Sequence, residues 1–196
     1  MREVELKAVL DSWSDARARL MKAGATTNFV GRLEDRRYDT NDRSLASRDI
    51  VLRLRTYRDE RGARAELEYK GPTGYERGYK VREEIGCTVL DPESIAVILA
   101  SLGYIVTRPI DRDVEQFELG EAMVRFERYP RMDDLVEVEG EPEALELAIA
   151  ALGIPRGEFN ADRLTDFAAR YEARTGKLAA LSDADLSGTA PAVREL

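Results

Sequence analysis

Met1-Arg2-Glu3-Val4-Glu5-Leu6-Lys7-Ala8-Val9-Leu10 opens the chain, and its two-residue period places Glu3, Glu5 and Lys7 on one face of a β-strand and Val4, Leu6 and Ala8 on the other. The pattern recurs. Arg53 and Arg55 alternate with Leu52 and Leu54, Glu66, Glu68 and Lys70 with Leu67 and Tyr69, Arg125 and Glu127 with Val124 and Phe126, and Glu137 and Glu139 with Val136 and Val138. Lys80, Arg82 and Glu84 follow it less cleanly, because Glu83 interrupts the apolar side. An antiparallel sheet with one solvated face produces such alternation. These polar positions are nearly all Glu, Arg or Lys, however, and opposite charges of this kind neutralise one another across strands. The alternation alone leaves two readings open, a wet sheet face and the charged lumen of a small barrel.

Composition narrows the classes. A chain of 196 residues with 43% apolar content can bury one substantial core. The net charge of −8 argues against a nucleic-acid surface, where Lys and Arg must neutralise phosphates. It leaves room for a local anion site, since 30 Lys and Arg residues can still be concentrated in one cavity. Cys87 is the only cysteine, so no intramolecular disulfide forms and a cytoplasmic protein is expected. The first strand begins almost at the N-terminus, leaving no room for a signal peptide, and no apolar run approaches membrane-spanning length.

Helices punctuate the strands. Ser12 or Ser14 can cap one that runs to Ala23, with Trp13, Ala16 and Leu20 on one face. Asp91-Pro92-Glu93 opens a second with Ile95, Ile98 and Leu102 as its stripe and Gly103 as its stop. Glu141-Pro142-Glu143 opens a third with Leu145, Ile149 and Leu152, ended by Gly153. A fourth is expected from near Asn160 to Gly176, burying Leu164, Phe167 and Tyr171. Residues 177–196 are rich in Ala, Ser, Asp and Gly, which predicts a flexible C-terminal tail after a domain of residues 1–176. Apolar helix stripes and apolar strand sides need each other, so the helices belong outside the sheet and the charged faces inside.

Such a lumen has a definite chemistry. Clustered carboxylates raise one another's pKa unless a cation compensates, and a hard divalent ion such as Mg²⁺ or Mn²⁺ takes oxygen ligands and bridges phosphates. With no histidine in the chain and one cysteine, a Zn²⁺ site of ordinary composition is excluded. Arg53 and Arg55 offer planar forks to phosphate oxygens, while Lys7 and Lys70 supply point charges.

The Glu3-x-Glu5-x-Lys7 opening, the Tyr38-Asp39-Thr40 triplet, the Arg53-x-Arg55 strand, Tyr69-Lys70-Gly71-Pro72, Arg82-x-Glu84 and the late Glu137-x-Glu139 resemble, in order and spacing, the CYTH superfamily. That group comprises class IV adenylate cyclases, thiamine triphosphatases and related triphosphate tunnel metalloenzymes, and Lys70-Gly71-Pro72 with Val81 to Ile85 looks most like the cyclase branch. The resemblance spans about residues 1–175. It implies an α+β fold, a closed antiparallel eight-stranded β-barrel with helices packed outside. It implies metal ligation by Glu3, Glu5, Glu127, Glu137 and Glu139, and phosphate binding by Lys7, Arg53, Arg55, Lys70, Arg82, Arg112 and Arg125, with Lys7 and Glu127 as catalytic residues. The expected activity is conversion of ATP to cyclic AMP and pyrophosphate with Mg²⁺ or Mn²⁺. The alternatives are hydrolysis of tripolyphosphate, thiamine triphosphate or a nucleoside triphosphate, and non-catalytic polyphosphate binding. No nucleic-acid or membrane partner is expected, and a homodimer is left open. Arg108 and Arg112 stand where many members carry a Lys-x-Arg pair, with Pro109 set to disturb the strand between them.

Overall fold

The structure, a computed structural model, describes residues 2–76 and 79–189, with side chains from residue 5 to 75 and from residue 81. The strands are β1 (Arg2–Val9), β2 (Thr26–Asp39), β3 (Val51–Asp59), β4 (Gly62–Lys70), β5 (Gly74–Glu76), β6 (Tyr79–Val89), β7 (Ile105–Leu119), β8 (Ala122–Arg128) and β9 (Leu135–Glu139). The helices are α1 (Trp13–Lys22), α2 (Pro92–Ser101), α3 (Pro142–Leu152), α4 (Leu164–Thr175) and α5 (Asp183–Ser187). The strands form one antiparallel sheet in the order β1-β9-β8-β7-β2-β3-β4-β6-β5, and β1 also pairs with β6 from Arg2↔Glu83 to Glu5↔Lys80. This is the α+β architecture that the sequence predicts. From Lys7 onward Asn160 takes the place of β6 along β1, with Lys7 N–H donating to Asn160 O at 2.8 Å and Asn160 N–H to Lys7 O at 3.0 Å.

Both faces of β1, β8 and β9 are covered. The apolar sides of β1, β7, β8 and β9 (Leu6, Ala8, Phe117, Val124, Phe126, Val136, Val138) pack under α1 and α3, which contribute Ala16, Leu20, Leu145, Ala148, Ile149 and Leu152. Fully burying one such side chain stabilises the fold by about 1.5–3 kcal/mol. Ser12 caps α1 by accepting from Asp15 N–H, and Gly153 ends α3 in the left-handed region at φ 67°, which a residue with a Cβ rarely adopts. The opposite strand faces, those with the alternating charges, are also buried: Lys7, Arg53, Arg55, Arg125, Glu127 and Glu137 are all under 10% exposed. The solvated-face reading is thereby replaced by an interior one.

The second helix departs from expectation. Its buried residue is Leu99, with Ile95 partly buried against Leu52, Leu54, Leu67 and Tyr104, while Ile98 and Leu102 are 51% and 68% exposed. The stripe is rotated because Leu99 offers the sheet the same apolar bulk one helical step away. Pro109 does not break β7 either. Asp111 N–H donates to Leu181 O at 2.8 Å on the edge away from β2, so Pro109, two residues earlier, lacks its donor on that same outer edge.

The inner space is bounded by two apolar groups. Phe29, Leu33, Tyr57 and Val114 form one. The other joins Ile110, Tyr129 and Leu135 to Phe167 of α4 and to Leu181. Within the segment expected as a flexible tail, residues 179–182 are buried. Ala180 and Ser182 have no exposed surface, Leu181 is 7% exposed, and Arg131 and Ala180 exchange two backbone hydrogen bonds. Composition hides this because the anchoring comes from one leucine and from main-chain bonds rather than from an apolar stripe.

Candidate functional site

The inner strand faces enclose a cavity of about 990 Å³. Its lining includes Glu5, Lys7, Arg53, Arg55, Lys70, Arg82, Arg112, Arg125, Glu127, Glu137 and Glu139, so the residues expected from sequence converge there. Glu3 lies outside the described side chains.

On one wall, β2, β3 and β7 bring three guanidiniums onto a single carboxylate. Asp35 is 1% exposed; its oxygens accept from Arg55 Nε and Nη2 at 2.7 and 2.9 Å, from Arg112 Nη1 at 3.0 Å and from Arg53 Nη1 at 3.4 Å. Burial alone would raise the pKa of Asp35, but Arg55, Arg53 and Arg112 overcome it and hold the carboxyl well below its usual range. The outer arms of the arginines are also fixed. Arg53 Nε donates to Glu68 at 2.6 Å and Arg112 Nε to Glu127 Oε1 at 2.6 Å, while Glu127 Oε2 accepts from Tyr129 Oη at 2.6 Å. Burial and the neighbouring Glu127 push the Tyr129 hydroxyl up, keeping it a donor. Sequence reading missed Asp35 and Tyr129. Asp35 lies in Arg32-Leu33-Glu34-Asp35-Arg36-Arg37, where charges on both strand faces erase the alternation.

The other wall, from β1, β8 and β9, reverses the proportion. Lys7 Nζ bridges Glu5 at 3.1 Å and Glu137 at 2.7 Å, and Glu137 also accepts from Arg125 Nη1 at 2.8 Å. Burial opposes the charge on Lys7, yet Glu137 and Glu5 raise its pKa above the ordinary lysine value. Strand register sets Glu139 opposite Glu5 and next along β9 from Glu137. Burial first, and Glu137 second, raise the pKa of Glu139. Two cations thus face three carboxylates.

The remaining expected residues hold the rim. Lys70 pairs with Glu84. Arg82 spends Nε on Gly71 O and Nη2 on Asp49 O, both at 2.6 Å, so it fixes two loops that border the cavity. Asp39 of the Tyr38-Asp39-Thr40 triplet accepts backbone N–H groups from Thr40, Leu45 and Ala46 at 2.7, 2.9 and 2.9 Å, which makes it the anchor of the 40–46 loop. Glu66 meets Tyr57 Oη at 3.3 Å, outside the cavity lining.

Among the described residues, no group of three or more carboxylate, His or Cys side chains comes together as a ready cation site. The donor chemistry of the acidic wall nevertheless suits a hard divalent ion. Glu5, Glu137 and Glu139 offer only oxygens, and burial first, then the neighbouring Glu137, raises the pKa of Glu139. Glu127 fits less well, because Arg112 and Tyr129 occupy both of its oxygens.

A family model, the CYTH domain, matches the chain over residues 1–147. The chain belongs to the CYTH domain family. No curated protein matches the chain. Among solved structures, a Vibrio parahaemolyticus protein provisionally named an adenylate cyclase is similar at TM-score 0.73 and 17% identity, over 85% of this chain and 97% of that one. The PH1819 protein of Pyrococcus horikoshii is similar at TM-score 0.70 and 21% identity, over 86% and 98%. HpAC1 of Hippeastrum, provisionally named an adenylyl cyclase and described as having a dominant triphosphatase activity, is similar at TM-score 0.62 and 18% identity, over 92% and 98%. At these identities the likeness concerns the fold. CYTH members typically act on triphosphates and are generally metal-dependent. Among the described residues, no helix is long and apolar enough to cross a membrane.

Proposed function

We propose that this CYTH protein is a divalent-cation-dependent enzyme acting on a triphosphate inside a closed tunnel of eight strands. The β1–β6 pairing supports closure, since it joins the two ends of the series β1-β9-β8-β7-β2-β3-β4-β6. The observation that carries the reading is the division of one cavity between an arginine wall centred on Asp35 and a carboxylate wall centred on Lys7.

Arg53, Arg55 and Arg112 receive the phosphate oxygens. Asp35, Glu68 and Glu127 hold their planes in place before the substrate arrives, so little reorganisation is needed as charge develops. Lys70 adds a point charge at the rim, and Arg125 sits where it can reach the phosphate while restraining Glu137. Glu5, Glu137 and Glu139 would hold the cation, with Glu3 as a further expected ligand. A divalent ion such as Mg²⁺ or Mn²⁺ held there would supply a Lewis acid, polarising the phosphate and lowering the pKa of the attacking group. Lys7, held between Glu5 and Glu137, is the proton-bearing group of this wall.

Cyclisation of ATP is the first reaction considered, from the sequence resemblance to class IV cyclases. Hydrolysis is a second reading with an observation of its own. The lining is mostly charged, with Ile50, Val51, Ile110, Met123, Leu164 and the rings of Tyr38, Tyr57 and Tyr129 as its less polar part, a composition that suits a polyphosphate more than a nucleobase. The activity described for the Hippeastrum protein points the same way. Incubation with Mg²⁺ or Mn²⁺ and ATP, tripolyphosphate or thiamine triphosphate, followed by product identification, tests the proposal. Cyclic AMP with pyrophosphate selects cyclisation and orthophosphate selects hydrolysis, whereas no turnover of any of the three removes the enzyme reading.

A further inference from the structure

Helices α1 and α2 share one plan. Their N-caps Ser12 and Asp91 accept from the backbone N–H of Asp15 and Ser94, and their last turns close with Ala25 N–H donating to Leu20 O and Tyr104 N–H to Leu99 O, both at 3.0 Å. Gly24 and Gly103 end them at φ 92° and 89°. Matched on these signals, Leu20 and Leu99 are the side chains that the two helices bury deepest, and Ala16 falls with Ile95. The outer faces differ at equivalent positions. Asp15, Arg19 and Lys22 of α1 correspond to Ser94, Ile98 and Ser101 of α2, and all six are exposed. No charged residue occurs from Ser94 to Thr107, in a chain that is 35% charged. On α2, Val97, Ile98 and Leu102 are 65%, 51% and 68% exposed.

The fold shows what such a face ordinarily meets. Arg19, the counterpart of Ile98, donates from Nη1 to Leu152 O of α3 at 3.0 Å, and the apolar cluster under α1 includes Leu145, Ala148, Ile149 and Leu152 of α3. Among the described residues, the cluster around α2 includes no side chain from another helix. Ile98 thus stands where α1 contacts its helical neighbour. The apolar surface also continues onto the sheet, since Ile85 and Cys87 of β6 lie on the strand face that turns Val89 toward Leu99, and both are exposed. A contiguous exposed apolar surface of this kind marks an interaction site.

Its chemistry selects the occupant. Interfacial helices that lie on a lipid surface carry Lys or Arg beside the apolar face, whereas the charges that open α2, Asp91 and Glu93, are acidic. A second copy of α2 meets the requirement: it is a helix, its face is equally uncharged, and a two-fold axis sets one patch against itself. Burying Ile85, Val97, Ile98, Leu102 and their small neighbours in two copies removes roughly 1,000 Å² of surface, enough for a small specific interface.

We propose that this chain forms a two-fold homodimer through α2, with the second copy's α2 taking the place beside α2 that α3 holds beside α1. The surface lies on the outer side of the sheet, so the proposal is independent of the triphosphate reading.

Light scattering and sedimentation velocity of the full chain, from about 1 to 100 µM, test it. The mass should rise from the 22.0 kDa of one chain to twice that value, with a dissociation constant of about micromolar order, as befits so small an interface. The double variant Ile98→Arg/Leu102→Lys changes only exposed side chains, and its circular dichroism should match the wild type. It sets like charges against each other across the axis and should raise the dissociation constant about a hundredfold or more. Ala18→Lys, at the position on α1 equivalent to Val97, should leave the dimer intact. A wild-type chain that stays at 22.0 kDa throughout overturns the proposal, whether or not it co-sediments with phosphatidylcholine vesicles. A dimer that survives the double variant overturns it too, because another surface must then hold the copies together.

Discussion

The two charged walls of the cavity are built from the same residue types in opposite proportions. Around Asp35, three arginines share one carboxylate and pass their remaining donors to Glu68 and Glu127. Around Lys7, three carboxylates share one lysine and Arg125. The first network is saturated, since every oxygen of Asp35 and Glu127 is engaged. The second sets Lys7 and Arg125 against Glu5, Glu137 and Glu139, and burial together with Glu137 raises the pKa of Glu139. A saturated network fixes geometry; an unsaturated one accepts a cation.

The largest expected effect breaks the saturated side. Asp35→Ala leaves three buried guanidiniums without their common partner, and removing one member of a buried pair costs about 3–5 kcal/mol. Denaturant unfolding should show a loss of this size, and Asp35→Asn, which keeps an acceptor, should lose less. A loss below 1 kcal/mol for Asp35→Ala would mean that Glu68 and Glu127 alone balance the arginines.

The unsaturated side should respond in turnover more than in stability. Glu137→Gln removes charge from between Lys7 and Arg125, and a rate drop of about 10²-fold or more is expected, with a higher divalent-ion requirement. Near wild-type kinetics would reduce Glu137 to a structural ion-pair partner. Arg55→Ala, in contrast, should weaken triphosphate binding without changing the metal titration.

A third test reaches the arginine wall indirectly. Leu181 packs with Ile110, Tyr129 and Leu135, and Tyr129 holds Glu127 against Arg112. Leu181→Ala should cost about 2 kcal/mol or more in stability and raise KM for the triphosphate more than it lowers kcat. An unchanged melting temperature would return residues 178–189 to the status of a tail.

The smallest effect concerns pH. The folded-state pKa of Glu139 is raised, so its protonated form is favoured by folding. That contribution is complete below the unfolded value of about 4.5 and fades as pH rises through the folded value. A divalent ion requires the ionised form, so its affinity should climb from about pH 4.5 and level off above the raised value, a dependence that Glu139→Gln should flatten. Asp35 has the opposite sign. Its contribution is present above the unfolded value and lost only as pH falls through its depressed one. Isothermal titration across this range, in parallel with acid unfolding, separates the two.

The inner faces of β1, β3, β4, β8 and β9 were legible because charge alternates there with apolar residues that face covering helices. β2 was opaque for a physical reason. Its outward Arg32 and Arg36 form ion pairs with Asp183 and Asp111, so both faces are charged and the inward Asp35 and Arg37 leave no periodic trace. Caps and breakers gave α1, α2 and α3 correctly, but a stripe of three apolar residues on α2 could not reveal that Leu99 faces the sheet. Residues 179–182 escaped notice because their anchoring is written in backbone hydrogen bonds, which side-chain composition does not encode.

The exchange of bonds between Lys7 and Asn160 bears on how this cavity could be transplanted or trimmed. The family pattern ends at residue 147, yet Asn160 completes the edge of β1, Asp162 to Thr165 line the cavity, and Leu181 closes its apolar border. A designer who excised the segment defined by the motif would carry away nearly all the charged groups and leave behind part of the container. The smallest portable unit of this protein is set by its wall, and it extends through Ser182.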